Sequence, residues 1–311
     1  MTEKKLIAGT KTTPRIAVIL ATYNGELWIQ ELLASVLAQV GVDVNVYISD
    51  DGSTDSTLAI LKEWSQRDCR VRILASERKF GSAGQNFFWA WGQLKGLRFD
   101  ALAFADQDDI WIPSKLSKQY SHLLEGYDGV SSNVLAFWPN NTFKVINNAT
   151  ALTEWDYVGQ AAGQGCTYLI SPRLCELYWS AMDRFDLFEI VHHDWFIYAL
   201  ARAAGLKWFI EKQSLVLYRQ HGANEVGSRG TWQGVLARLK KVQSGWYKKQ
   251  ILAQLKIIKT LYPNHDRDIA VAGLYSAGRV ARLTKLLSVL PFRRDKGGKF
   301  MFLIFFMLGW V

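Results

Sequence analysis

The chain has 311 residues, a net charge of +9, 49% apolar residues and 13 Trp, a composition that places it among folded globular proteins with ample core. Three cysteines, Cys69, Cys166 and Cys175, with no CxxC spacing exclude a disulfide scaffold and a cysteine zinc site, so a reducing compartment is expected. The charge is uneven: residues 231–311 hold 15 Lys/Arg against 3 Asp/Glu, and residues 1–230 are mildly acidic.

The first half alternates between two periodicities. Residues 15–22 (RIAVILAT) read as a buried strand, and residues 26–40 place Ile29, Leu32, Leu33, Val36, Leu37 and Val40 at helical spacing. A strand at 44–49 follows, then a helix through 58–64 with Ser53, Asp55 or Ser56 as its cap. Next come a strand at 71–75, a helix at 86–94, a strand at 101–105 and a helix opened by Pro113 and running to Leu124. Apolar strands alternating with helices imply an α/β fold with a mostly parallel central sheet covered on both faces.

The second half is less regular. Residues 134–137 and 143–146 read as a strand pair about a Pro-Asn-Asn turn, and 165–170 as a strand. Ser171 caps a helix with Pro172 at its first position, a helix at 194–204 ends at Gly205, and 215–218 is a last strand. From Thr231 two or three basic helices are expected, followed by twelve residues after Lys299 without a charged side chain. That run is shorter than the ~20 residues needed to span a bilayer. A basic, apolar-ended extension at 231–311 fits an anionic membrane surface; packing into the body is the competing reading. Nucleic acid is not expected, because a Phe/Leu/Ile/Met run adds nothing to phosphate binding. Lys4 and Lys5 precede a polar stretch and residues 16–21 are too short for a secretory h-region. The body is therefore expected in the cytoplasm, peripheral at the inner face of the cell membrane.

Four polar clusters follow the first four strands: TYNG at 22–25, DDGSTD at 50–55, ERKFG at 77–81 and DQDD at 106–109. Singly, each is a turn. Together they lie at strand carboxyl ends, where open α/β sheets bind ligands. Asp106 and Asp108 have the spacing to share a divalent cation, Mg2+ or Mn2+, with a substrate diphosphate.

With AVILATYNG, SDDGSTD, FADQDDIWIPSKL, VHHDW and LYRQHGANEVG in order, the chain resembles the inverting family 2 glycosyltransferases of GT-A fold, especially bacterial rhamnosyltransferase-like members that build surface polysaccharides. The resemblance spans residues 15–228 and implies a GT-A domain at 1–230. It implies that Tyr23 and Asp51 hold the nucleotide base and ribose, that Asp50 supports their loop, and that Arg78, Lys79, Gly81 and Asn86 line the nucleoside and phosphates. Asp106 and Asp108 match the DxD motif, with Asp108 the metal ligand, and Asp109, Trp111 and Lys115 extend the block toward the sugar. Asp194 matches the catalytic base; as a residue alone it reads as an N-cap. His221, a surface loop residue on composition, becomes a candidate ligand to metal or phosphate. Gly165, Cys166, His193 and Trp195 would border the acceptor. The implied reaction moves a sugar from a dTDP- or UDP-linked donor, with dTDP-rhamnose favoured, to a glycan or lipid-linked acceptor. The alternative is a catalytically silent, membrane-bound scaffold of the same fold. A dinucleotide-dependent oxidoreductase would need GxGxxG after the first strand, where TYNG stands.

Overall fold

The computed structural model describes residues 12–76, 78–222, 239–263 and 286–310. Its centre is one nine-stranded sheet, built from β1 (Arg15–Thr22), β2 (Asp43–Asp50), β3 (Val71–Ile73), β4 (Ala101–Asp106), β5 (Ile110–Trp111), β6 (Gly129–Phe137), β7 (Phe143–Ile146), β8 (Leu169–Ile170) and β9 (Trp208–Arg219). The order is β3-β2-β1-β4-β8-β6-β9-β5, with β7 on β6. The expected parallel pairing holds for β3-β2-β1-β4. β8 then enters antiparallel to both β4 and β6, and β6 pairs parallel with β9.

Period-two alternation explains why the first strands are apolar throughout. Ile16, Val18 and Leu20 of β1 face one core, which they share with Ala101, Ala103 and Ala105 of β4. Ala17, Ile19 and Ala21 face the other, with Leu102 and Phe104. Helices α1 (Ile29–Leu37), α2 (Thr57–Arg67) and α4 (Lys115–Leu124) cover the first face. Helices α3 (Ala83–Gln93), α5 (Asp156–Gly159), α6 (Pro172–Arg184) and α7 (His193–Ala203) cover the second. In α1 the buried set Ile29, Leu32, Leu33, Val36 is the expected helical stripe, and each such side chain contributes roughly 1.5–3 kcal/mol on burial. Ser171 caps α6 as expected, accepting from Leu174 N–H.

Three local expectations are corrected. Residues 165–170 are not one strand: Gly165–Thr167 forms a 3-10 turn and only Leu169–Ile170 pairs. Strand β6 begins five residues early, at Gly129, and β9 spans twelve residues. The short β5 at Ile110–Trp111, which pairs antiparallel with β9, was not among the expected elements.

The basic C-terminal part is not a detached arm where it is described. Helix Trp246–Leu261 sends Ile251, Leu255 and Ile258 into the core of the second face, and helix Lys296–Leu308 adds Phe302 and Phe306. The opposite side of this last helix leaves Phe300, Met301, Met307 and Leu308 exposed beside Lys296. No helix among the described residues is long and apolar enough to cross a membrane. The ANEVG part of the last motif and much of the expected basic helices lie outside the described residues.

Candidate active site

The carboxyl ends of β1, β2 and β4 sit side by side because their register is in phase: Thr22 pairs with Asp50, and Ala21 with Asp106. Asp50 organises the loop that follows it. Its Oδ1 accepts from Gly52 and Ser53 N–H at 3.1 and 2.8 Å, and its Oδ2 accepts from Thr22 and Ser53 hydroxyls at 2.7 and 2.6 Å. Asn24 takes a left-handed φ of 48°, a conformation asparagine tolerates, and bonds the same loop through Ser53 and Thr54. Gln107, which the sequence reading passed over, clasps the Tyr23 backbone with both ends of its amide at 2.9 Å. A Cβ at Gly25 would stand 2.4 Å from that amide oxygen, so a larger residue would displace the Gln107 clasp. The Tyr23 ring is left exposed at the rim.

Asp51 is nearly buried and accepts from the backbone N–H groups of Phe80 and of Gly81, the latter at 2.8 Å. It thereby ties the segment at 78–81 to the strand end. Each carboxylate oxygen keeps a second lone pair for a ligand N–H. Lys79 is exposed and lies across Gly52, and Arg78 is exposed beside it. Asn86 is placed differently from its expected contact with the nucleoside. It is buried in the first turn of α3, exchanging hydrogen bonds with the Ser49 hydroxyl and carbonyl, and so braces β2 from beneath.

After β4 the three carboxylates separate in environment. Asp108 meets His221, whose Nε2 lies 2.7 Å from Asp108 Oδ2. The His221 ring stacks on Trp28 at 4.0 Å. β9 delivers His221 here because β5 pairs with it, Ile110 against Leu217 and Trp111 against Val216. Arg219 locks the junction: its backbone N–H donates to Asp109 Oδ1 at 3.1 Å, its Nε to the Asp108 carbonyl at 2.8 Å, and its guanidinium pairs with Glu31. Asp109 is fully buried, and burial with the charges of Asp108 and Asp106 pushes its carboxyl well above the usual range.

Two members of the motif lie beneath the site rather than in it. Trp111 is in the core, and Lys115 is fully buried with its Nζ 3.0 Å from Gln119 Oε1 and 3.9 Å from the Trp111 ring centre. Burial lowers the Lys115 ammonium to about 7. Neither side chain reaches the sugar side, because the chain turns from β5 into α4 and carries both under the sheet edge.

Asp194 lies in the first turn of α7, half-buried, with Oδ1 accepting from Trp195 N–H at 2.7 Å. The N-cap is His192, not Asp194. Burial raises the Asp194 carboxyl to about 6, against hydrogen bonds from the backbone of Trp195 and Gly165. A Cβ on Gly165 would stand 3.3 Å from Asp194 Cβ and 2.5 Å from His193 Nε2, so the 3-10 turn can approach the base only as glycine. Its neighbour Cys166 is buried beside Asp109 and holds its thiol well above the ordinary range. One peptide unit thus links the surroundings of the base to those of the DQDD cluster, a span of about 3.8 Å. His193 and Trp195, expected at the acceptor, are core residues: the His193 ring lies 4.1 Å from Phe87, burial drives its imidazole down to about 3, and Trp195 donates to the Tyr157 carbonyl at 2.8 Å. His192 is the half-exposed member of the pair, edge-on to Trp246 at 5.2 Å.

A divalent cation can be tested against these donors. Asp106, Asp109 and Cys166 offer atoms within 4.8 Å of one another. Burial pushes the Asp109 carboxyl and the Cys166 thiol upward, against the charged forms that bind metal, and a thiol suits a soft ion. Asp106 and Asp108 are half-buried at the open edge, and the Asp108–His221 pair presents oxygen and nitrogen 2.7 Å apart. Neighbouring ligand atoms around Mg2+ or Mn2+ lie about 3 Å apart, a spacing that the Asp108 and His221 atoms have, with Asp106 on the same strand end. The crowding that raises Asp109 is what a cation would relieve.

A family model described as Glycosyl transferase family 2 matches residues 17–191. The chain is 36% identical to the dTDP-rhamnosyl transferase RfbG of Shigella flexneri, over 93% of this chain and 99% of that protein. It is 33% identical to the UDP-Glc:alpha-D-GlcNAc-diphosphoundecaprenol beta-1,3-glucosyltransferase WfgD of Escherichia coli, over 43% of this chain and 47% of that one. In structure it is similar to S. aureus TarS 1-349 in complex with UDP-GlcNAc, with a TM-score of 0.58 at 17% identity over 78% of this chain and 66% of that one. It is also similar to the mannosyltransferase PcManGT from Pyrobaculum calidifontis in complex with GDP-Man and Mn2+, with a TM-score of 0.54 at 14% identity over 96% and 86%. These two likenesses show the fold, GT-A as expected. The family model covers more than half of the chain and the first relative matches 93% of it, so the chain belongs to glycosyl transferase family 2 and is a glycosyltransferase.

Proposed function

We propose that the chain is a metal-dependent, inverting transferase that moves rhamnose from dTDP-rhamnose to a hydroxyl of a lipid-linked glycan in surface polysaccharide synthesis. The observation that carries this reading is the pairing of Asp108 with His221 at the β4 end, while Asp194, with its carboxyl raised to about 6, stands across the Gly165–Cys166 link. The full-length likeness to a dTDP-rhamnosyl transferase supports the donor.

Asp106, Asp108 and His221 would hold Mg2+ or Mn2+, which when bound neutralises charge on the departing diphosphate. Tyr23, Asp51, Arg78 and Lys79 would receive the nucleotide. Asp194, as carboxylate, takes the proton of the acceptor hydroxyl while the new C–O bond forms at the anomeric carbon and the bond to diphosphate breaks on the opposite face. A base near 6 is charged at neutral pH yet still basic enough to share that proton. Gly165 and His192, next to Asp194, border the acceptor.

The exposed Phe300, Met301, Met307 and Leu308, beside Lys296, support docking at an anionic membrane surface where a lipid-linked acceptor resides. The scaffold alternative predicts loss of the metal or base carboxylates, and Asp106, Asp108 and Asp194 are all in place. The test is transfer from dTDP-rhamnose against UDP-glucose to lipid-linked glycan extracts with Mn2+. Transfer from the first supports the reading; transfer from the second alone, or donor hydrolysis without transfer, counters it.

A further inference from the structure

The base Asp194 is flanked by two loops, and both are fastened by residues beyond position 240. The first loop, residues 159–165, ends at Gly165 against Asp194. Its carbonyls are gripped by two consecutive arginines: Arg293 donates to the Gly159 carbonyl and Arg294 to the Ala161 carbonyl, each at 2.9 Å. The Arg294 backbone N–H also donates to Gln160 Oε1 at 3.3 Å. Gly159 is a close-approach glycine here, since a Cβ would stand 2.4 Å from the Phe292 carbonyl oxygen. The second loop leads into α7. Gln250, buried on helix Trp246–Leu261, accepts from Val191 N–H at 2.9 Å and donates to the Glu189 carbonyl at 2.8 Å.

The Arg294 side chain is nearly buried and reaches Asp156 at 3.4 Å. Asp156 is itself satisfied without it, by Arg202 at 2.8 Å and the Tyr198 hydroxyl at 2.9 Å. Arg294 is therefore not needed to neutralise a buried charge. What it supplies is the bond to Ala161, which with the Arg293 bond to Gly159 ties the C-terminal segment to the loop.

We infer that Arg294 and Gln250 are positioning residues for the reaction: from outside the matched family region they hold the two loops that fix Asp194 against the acceptor side. This rests on Asp194 being the base. The segment that reads as a membrane tail is then also part of the catalytic frame, and the helix Lys296–Leu308 begins two residues after the arginine that grips the loop.

The consequence reaches Asp194 through Gly165, whose backbone hydrogen bond favours the charged carboxylate. The other titratable groups around it are His192, His193 and the buried Tyr168. A loosened loop loses the Gly165 bond, so the acidic limb of the transfer pH profile moves to higher pH.

The test compares the full-length parent with Arg294→Met and Gln250→Ala. It uses thermal melting, dTDP binding with Mn2+, hydrogen–deuterium exchange and the pH dependence of transfer. We expect cooperative melting and dTDP affinity within about twofold of the parent. We expect faster exchange in 159–165 for Arg294→Met and in 189–192 for Gln250→Ala. Turnover should fall about ten- to a hundredfold, the scale of a small misplacement of a reacting group, with the acidic limb displaced upward. Unchanged exchange in both loops, or unchanged turnover and limb, overturns the inference. So does joint loss of dTDP binding and activity, which would make the segment a support of the whole fold. If the parent itself transfers no sugar, the assigned reaction fails, while the exchange data still decide whether this segment holds the loops.

Discussion

Asp108 and His221, 113 positions apart in sequence, stand 2.7 Å apart in the fold, and Trp28 stacks on the far side of the imidazole. The pair joins the end of β4 to the end of β9. It fixes two donor atoms at the mouth of the nucleotide-facing edge. Asp108→Asn keeps the shape and removes the charge. It is expected to weaken Mn2+-dependent binding of dTDP at least tenfold, with metal-free binding little changed; titration calorimetry with and without Mn2+ reads both. His221→Ala should fall in the same direction, by about 10–100-fold if it is a ligand or orients one.

Asp194 gives a prediction with a sign. Its carboxyl titrates near 6, so above that pH it is charged and able to accept a proton, and below it the base is lost. Transfer should therefore fall as pH drops through about 6, while dTDP binding persists. Asp194→Asn should retain nucleotide affinity and lose about 10²–10⁴ in turnover. A variant that still transfers at the parent rate would place the base elsewhere.

Lys115 separates a core lysine from a ligand lysine. Its folded value of about 7 lies below the ordinary lysine range, so between the two the unfolded chain binds more protons than the folded one. Stability should rise with pH from about 7 toward 10, and Lys115→Met should remove that rise while keeping the contact with Trp111. Melting temperature against pH, parent beside variant, checks it. Unaltered dTDP affinity in the variant is expected too, since the ammonium has no open face.

The exposed side of the last helix can be altered without touching its packed side. Phe300→Gln with Met301→Gln and Leu308→Gln leaves Phe302 and Phe306 in the core. Sedimentation with anionic vesicles should show binding reduced several-fold, with melting and dTDP affinity preserved. Persistent vesicle binding would move the contact to another face. Cutting at Thr231 is the poorer test, because it strips Ile251, Leu255 and Phe302 from the core.

The sheet was legible because β1, β2 and β4 are apolar on both faces, a pattern only two covered layers explain. That Asp50, Asp51, Asp106 and Asp108 gather at one sheet edge was legible because each follows the carboxyl end of a parallel strand. Lys115, Asn86, His193 and Trp195 were misplaced for one shared reason. They lie inside motif blocks whose polar members look alike in sequence, and burial beneath a site leaves no local mark. Residues 165–170 have strand-like composition, yet Gly165–Thr167, where Gly165 approaches Asp194, form a 3-10 turn and only Leu169–Ile170 pair as a strand. The C-terminal segment reads either way because its apolar stripe fits a core and a membrane equally; in its last helix Phe302 and Phe306 pack into the core while Phe300, Met301, Met307 and Leu308 stay exposed. Gln107 carried no signal of its own, since its role depends on the β1 end meeting the DQDD loop.

The central claim is a metal-assisted nucleotide-sugar site at the ends of β1, β2 and β4. Its most direct test is calorimetric titration of the full chain with dTDP and with UDP, each with and without Mn2+. The account predicts binding that strengthens with Mn2+, is tighter for dTDP, and loses its Mn2+ dependence in Asp108→Asn. Folded protein that binds neither nucleotide, or binds them equally well without the metal, would contradict it.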